Sequence, residues 1–317
     1  MGDRQLKLPH FLARLPLVPL LLVSSGTLVL AGELHTETEV RQSYLQHGAM
    51  AQLHRWYQYY ENDSVGIENQ LDILAEDVAI VSANGTAEGH EAYAAAVSQL
   101  PSTWQNSHSL TSSSVEVRDD GTLGLSATIT YQNVGMLEGG AVRALGISYE
   151  ADLEQTDTPL PLFTRIEIES DAPVDAGEFR DLYAENRLLS LVHYWMAMVE
   201  HPNRDAAPFR EVLAPEFDID FGSGPITDVE GFAAWVAGPA SSVSASRHDV
   251  HNFTYRNLAD NQYELTIDLD WTGIRPDDVW MTAKTRHTWA VIDDPSERFA
   301  RIQNIRVEVL EPFAVVE

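Results

Sequence analysis

Residues 44–61 read YLQHGAMAQLHRWYQYYE, and residues 183–200 read YAENRLLSLVHYWMAMVE. Laid side by side without a gap, they match Tyr44 to Tyr183, His54 to His193, Trp56 to Trp195 and Glu61 to Glu200, each pair 139 positions apart. The same offset carries Leu74, Ala75, Ile80, Gly85, Glu91, Ala94, Ala95 and Ser107 onto Leu213, Ala214, Ile219, Gly224, Glu230, Ala233, Ala234 and Ser246. Unrelated sequences agree at about one position in fifteen to twenty, so roughly three or four matches are expected over this length. These twelve gap-free matches mark a duplication. Solenoid and propeller repeats have periods of about 20–50 residues, so a unit this long is a whole domain. The chain is two copies of one fold.

Each copy begins helical and ends in strands. Leu45, Ala49, Leu53, Trp56 and Tyr60 form one stripe of a helix of about 20 residues, with His47, Met50, His54, Tyr57 and Glu61 beside it. A short helix is expected over 67–75, a strand over 78–81, a turn at Asn84-Gly85-Thr86 and a third helix over 88–100. From His108 the period becomes two, predicting strands over 108–117, 123–131, 145–153 and 163–169. The second copy repeats the plan with helices over 179–200, 205–213 and 228–237, a strand over 217–221, and strands starting near 247, 262, 279 and 297. Helices segregated from antiparallel strands indicate an α+β fold class. The expected domains are 38–170 and 178–311, joined by a linker at 171–177. One hairpin can be registered: a turn at Pro276-Asp277-Asp278 sets Asp268 opposite Arg286, Asp270 opposite Lys284 and His287 opposite Ile267. These charge pairs are favourable across strands, so both aspartates read as structural.

Composition narrows the function classes. Twenty basic residues against 48 acidic ones give a net charge of −28, which repels phosphate backbones and anionic membrane faces. Nucleic acid is therefore not an expected partner. Lysine occurs only as Lys7 and Lys284, leaving one Schiff-base candidate in the folded region. There is no cysteine, hence no disulfide, thiol nucleophile or thiolate metal site. Arg4, Lys7 and Arg14 precede an apolar run, 15–30, that ends in small residues at Ala31-Gly32. Residues 1–32 thus read as a signal peptide that directs the protein to the periplasm or the extracellular space, with no stable membrane span after processing. A retained membrane anchor is the alternative, although the run is shorter than the roughly 20 residues a span needs.

Several motifs together resemble a known family. They are Leu74-Ala75-Glu76-Asp77 with Gly85 and Glu91-Ala92-Tyr93, then Leu213-Ala214-Pro215-Glu216 with Gly224 and Glu230-Gly231-Phe232, and the strand Arg247-His248-Asp249-Val250-His251-Asn252. This pattern resembles the SnoaL-like, polyketide cyclase-like branch of the nuclear transport factor 2-like superfamily, over most of residues 40–311. The resemblance implies two tandem cone-shaped domains, each a curved antiparallel sheet wrapped on three helices around a pocket. Relatives often dimerise through the outer sheet face. By analogy the copies are expected to form an intramolecular pseudo-dimer, and the chain to be a monomer or weak dimer.

The resemblance also proposes site residues. His248 matches a histidine that dehydratase-type relatives carry at the start of the strand after the third helix, and His287 is a candidate second histidine. Tyr194 is a candidate proton donor to an enolate, although Trp195 stands where those relatives carry an acid. Imidazoles suit proton transfer near neutral pH. Asn252, four residues after His248, is expected on the same strand face. Trp271 and Trp289 lie on the apolar faces of their strands, and His193, His54 and His108 complete the ligand-binding candidates. His54 and His193 precede Glu61 and Glu200 by seven residues, which places each pair on one helix face. His248 and His251 point to opposite faces of a strand, so no metal site is expected. Phosphate-loop, dinucleotide and nucleophile-elbow motifs are missing, so no cofactor is expected. The functional expectation is an exported tandem protein that binds a small apolar molecule in a domain pocket, non-catalytic or of unassigned activity. The alternative is a cofactor-independent, dehydratase-like lyase or isomerase using the histidine pair of the second domain.

Overall fold

In the computed structural model, which describes residues 35–222 and 224–316, the first copy opens with helix α1, Glu37–Glu61. Thr36 and Glu39 start it by capping each other: the Thr36 hydroxyl accepts from the Glu39 amide at 3.2 Å, and the Glu39 carboxylate accepts from the Thr36 amide at 2.6 Å. Residues of both stripes of α1 are buried: Leu53, Trp56 and Tyr57 lie in the first copy's own core, while His47, His54 and Gln58 face the second copy and Gln52 and Arg55 are held by first-copy loops. That double burial explains why polar residues interrupt the periodicity. At Gly48 an added Cβ would sit 2.4 Å from the Pro159 carbonyl, so only glycine lets the helix pass this loop.

A single helical turn, α2 at Ile67–Leu71, leads to strands β1, Leu74–Ser82, and β2, Gly85–Glu88, and then to α3, Gly89–Val97. The turn into β2 needs positive φ, which glycine supplies at Gly85 (+120°) and again at Gly224 (+107°) in the second copy. Four long strands follow, β3 Gln105–Val117, β4 Leu123–Val134, β5 Val142–Glu154 and β6 Leu162–Pro173. The sheet order is β2-β1-β6-β5-β4-β3.

The second copy has α4, Tyr183–Glu200, strand β7, Leu213–Asp220, and helix α5, Val229–Ala237. Its own meander is β8 Ala245–Ala259, β9 Gln262–Ile274, β10 Trp280–Ile292 and β11 Arg301–Val315, in sheet order β7-β11-β10-β9-β8. The helix expected over 205–213 is instead a 3-10 turn at Ala207–Glu211, with Pro208 in its first turn and strand β7 starting at Leu213, so the segment is too short for stable α-helical bonding. The fold is α+β in both copies.

Each sheet contains one parallel pair, β1 with β6 and β7 with β11, so the sheets are mixed rather than wholly antiparallel. The first strand of each copy reaches the last through a helix and at least three strands, and so long a connection permits the parallel direction. The β9–β10 register sets Asp268 opposite Arg286, Asp270 opposite Lys284 and His287 opposite Ile267, as expected. Asp268 and Arg286 form a two-pronged ion pair at 2.7 and 2.9 Å, whereas Lys284 turns to Glu311 on β11.

Each copy has its own apolar core, and the described residues from Thr36 onward form one compact unit. The copies meet through α1 and α4, not through outer sheet faces. The helices run antiparallel, with His47 against His193 and His54 against Asn186. Arg187, fully buried on α4, donates to Asp293 at 2.7 Å and to Gln58 on α1 at 3.1 Å, and to the carbonyls of Asp294, Glu297 and Arg298. The signal-peptide expectation falls outside the described residues. Among the described residues no helix is long and apolar enough to cross a membrane.

Candidate functional site

Two cavities occupy equivalent places in the two copies. The second copy encloses about 520 Å³ between α4, α5 and the sheet, walled by Trp195, Trp235, Trp271, Met281, His287 and His248. The first encloses about 430 Å³, with Trp56, Tyr60, Tyr93, Trp104, Tyr149 and His108 on its wall. Trp56 and Trp195, Ala96 and Trp235, and Leu100 and Pro239 are matched pairs at the repeat offset, and each member lines its own cavity. The first is therefore rich in tyrosine and the second in apolar side chains. At the second cavity's lip Trp271 meets Phe313 edge-on at 5.1 Å, and Gly273 lies beneath the Trp271 ring, where a Cβ would clash at 2.3 Å. Phe313 is 57% exposed and Val309 55%, so this lip presents apolar surface to solvent.

The polar centre of the second cavity is a carboxylate–imidazole pair. Glu200, the last residue of α4, accepts from the His248 backbone amide at 2.6 Å and from His248 Nδ1 at 2.9 Å. With a carboxylate as the partner, Nδ1 carries the proton and Nε2 is the basic nitrogen. The Glu200 side chain is 1% exposed, and its Oε2 has no hydrogen-bond partner. An unpaired buried carboxylate oxygen is costly, of order 1–3 kcal/mol. The first copy repeats the pair: Glu61, ending α1, accepts from the His108 amide at 2.8 Å and lies 3.1 Å from His108 Nδ1.

His287 shares the second cavity wall with His248. Burial, then the neighbouring His248, pushes its pKa down to about 3, so it is neutral near pH 7. Its Nδ1 has no partner. His287 can thus serve as a polar contact for a ligand, but not as a cation.

Other candidates lie elsewhere. Tyr194 is on the far side of α4, stacked on Phe299 at 4.4 Å, and its hydroxyl donates to Glu211 at 2.5 Å. One residue along a helix is a turn of about 100°, so Tyr194 faces away when Trp195 faces the cavity. Its pKa is raised by burial and by Glu211, which makes it a poorer acid. Trp289 is fully buried behind the wall, 5.6 Å from Trp195, which covers it. Asn252 does not share the face of His248, because the β8–β9 register slips between His251 and Thr254 and Asn252 takes a left-handed φ of 50°. Its amide donates to Asp268 at 2.9 Å.

Asn252 instead borders a third cavity, of about 250 Å³, between the copies, together with His54 and His193. The rings of His54 and His193 stack at 5.7 Å across the helix pair. Neither reaches the glutamate seven residues on; His54 Nδ1 donates to Asn186 at 2.8 Å. Burial moves His54 down to about 4 and His193 well below its ordinary value. Among the described residues, no group of three or more His, Cys, Asp or Glu side chains is arranged to hold a metal ion.

The residues that sequence reasoning missed are the two glutamates as partners of the strand histidines, and His47 and Asn186 beside them. A signal was present, since Glu61 and Glu200 keep the repeat offset and both strand histidines follow a matched serine, Ser107 or Ser246.

The fold and site define a duplicated α+β protein with a cone-shaped domain in each half and an acid-paired histidine at each cavity wall. No protein-family model and no curated protein matches the chain. Solved structures do resemble it. A type 2 hexachlorocyclohexane dehydrochlorinase (LinA) is 10% identical over 43% of this chain and 90% of its own, with a TM-score of 0.38. A cystatin-like-fold protein from Caulobacter vibrioides is 13% identical over 40% of this chain and 90% of its own, with a TM-score of 0.34. A nuclear transport factor 2-like superfamily protein from Salmonella enterica serovar Typhimurium is 12% identical over 38% and 85%, with a TM-score of 0.33. Likeness at this level concerns the fold and transfers no activity.

Proposed function

We propose that the second copy binds a small, largely apolar molecule and moves a proton on it without a cofactor, as a lyase or isomerase would. The observation that carries this reading is the Glu200–His248 pair at the wall of a cavity of about 520 Å³ whose remaining surface is mostly apolar. Glu200 fixes the tautomer and ring of His248, which leaves Nε2 as the base. Neutral His287 supplies a hydrogen bond to a carbonyl or hydroxyl oxygen of the ligand. Apolar walls surround the pair, with Glu200 1% and His248 14% exposed, and such partly water-excluded surroundings favour proton transfer between fixed groups. The charged-then-apolar start of the sequence supports export of this protein to the periplasm or extracellular space.

A second reading, a carrier that retains the molecule unchanged, is favoured by one observation. Glu200 also accepts the His248 backbone amide, as Glu61 does for His108, and that bond ties a helix end to a strand whatever the ligand does.

Mass spectrometry of small molecules retained by the purified protein tests both. Under the first reading wild type carries an apolar compound that gains deuterium from heavy water, and His248→Ala gives no gain. A retained compound that gains no deuterium in wild type supports the carrier. If neither protein retains a compound or binds one from a broad metabolite panel, the small-molecule reading fails.

A further inference from the structure

Position 47 in the first copy and position 186 in the second are equivalent by the repeat offset, yet one is His47 and the other Asn186. Each crosses to the other copy's carboxylate–imidazole pair. The Asn186 amide nitrogen donates to both Glu61 oxygens at 3.0 and 3.1 Å and to the His108 carbonyl at 3.1 Å, while its oxygen accepts from His54 Nδ1 at 2.8 Å. On the other side His47 Nε2 lies 3.0 Å from the His248 carbonyl and 3.6 Å from Glu200, and His47 Nδ1 lies 2.9 Å from His193 Nδ1. A carbonyl only accepts, so His47 carries its proton on Nε2. Its Nδ1 must then accept, and His193 donates from Nδ1, the same nitrogen His54 uses. The imidazole stands in for the carboxamide, an acceptor at one end and a donor at the other.

The replacement is unequal in one respect. Asn186 has two amide protons and satisfies both oxygens of Glu61. His47 has a single Nε2 proton, directed mainly at the carbonyl, and Glu200 Oε2 is left without a partner. The carboxylate behind His248 is thus held by fewer donors than the one behind His108.

We propose that His47, contributed by the first copy, is a positioning residue for the second copy's Glu200–His248 pair, so that the second site is complete only when the first copy is docked. The proposal rests on the reading of His248 as the working imidazole. The measurement, however, reads the pair itself and not turnover.

The full chain labelled with 15N-histidine is observed by proton NMR for the downfield proton that bridges His248 Nδ1 and Glu200, assigned by its loss in Glu200→Gln. The equivalent proton between His108 and Glu61 is the internal control. In His47→Leu the His248 signal is lost while the His108 signal remains, and in His47→Asn, which copies the Asn186 arrangement, both signals are present. His47→Ala is the second variant if leucine is not accommodated, with the same loss expected. Persistence of the His248 signal in the leucine or alanine variant overturns the proposal. So does loss of both signals together, which means that the substitution only loosens the helix pair. A protein without turnover in which the His248 signal still depends on His47 separates failure of the proposed function from failure of this inference.

Discussion

Acid should destabilise this protein through its buried histidines, and His54 gives the clearest magnitude. Its ring is buried and its pKa stands at about 4, against 6.5 ordinarily. A folded-state value below the unfolded one means that the neutral ring stabilises the fold fully above pH 6.5, and that this contribution is lost as pH falls towards 4. At roughly 1.4 kcal/mol per pH unit, that one histidine removes about 3 kcal/mol across the window. His193, His47 and His287 shift in the same direction and steepen the loss. Glu61 opposes them, because burial raises its pKa above 4.5, and its contribution is full at low pH and lost as pH rises. Urea unfolding of wild type and His54→Gln between about pH 7 and about pH 4 is the assay. Glutamine keeps a donor for Asn186 but does not titrate. The variant should therefore lose about 3 kcal/mol less than wild type over this window, with similar denaturant slopes. Equal losses in the two proteins would refute the assignment of acid lability to this buried ring.

Three further outcomes follow from the packing. Gly48→Ala forces a Cβ to 2.4 Å from the Pro159 carbonyl, and should cost about 1–3 kcal/mol in equilibrium unfolding by overpacking. Arg187→Leu leaves Asp293 charged and buried, with both side chains 1% exposed in wild type; a loss of about 3–5 kcal/mol is expected, read by the thermal midpoint. Thr36→Ala removes one side of the α1 capping box and should cost about 1 kcal/mol, a small decrease in the urea midpoint with unchanged slope.

Much of the fold was legible because it depends on local pattern or on charge. The β9–β10 register followed from the turn at Pro276-Asp277-Asp278, which sets Asp268 opposite Arg286, and a slip by one residue would have moved His287 off the apolar face. The parallel pairings of β1 and β7 were not legible, since alternation of side chains marks a strand but carries no direction. The site was harder. The bond between Glu200 and His248 joins residues 48 positions apart through tertiary packing, and neither residue type nor helical spacing announces it. Asn252 was misplaced because a register slip inside β8 changes the face, and no glycine or proline marks the irregularity. Trp289 was expected at a cavity wall because strand alternation gives a face but not a depth. Trp195, from another element, closes over it.

The exchange of residues 47 and 186 between the halves bears on the history of such a chain. In a symmetric dimer of identical subunits, one codon would serve both positions, and a change that suited one pair would be imposed on the other. Joined in a single reading frame, the two positions vary separately, and here they have become His47 and Asn186. The same fusion acts as a ratchet. Deleting either half would strand the other's buried glutamate without the neighbour that reaches it, so each half now holds the other in the gene.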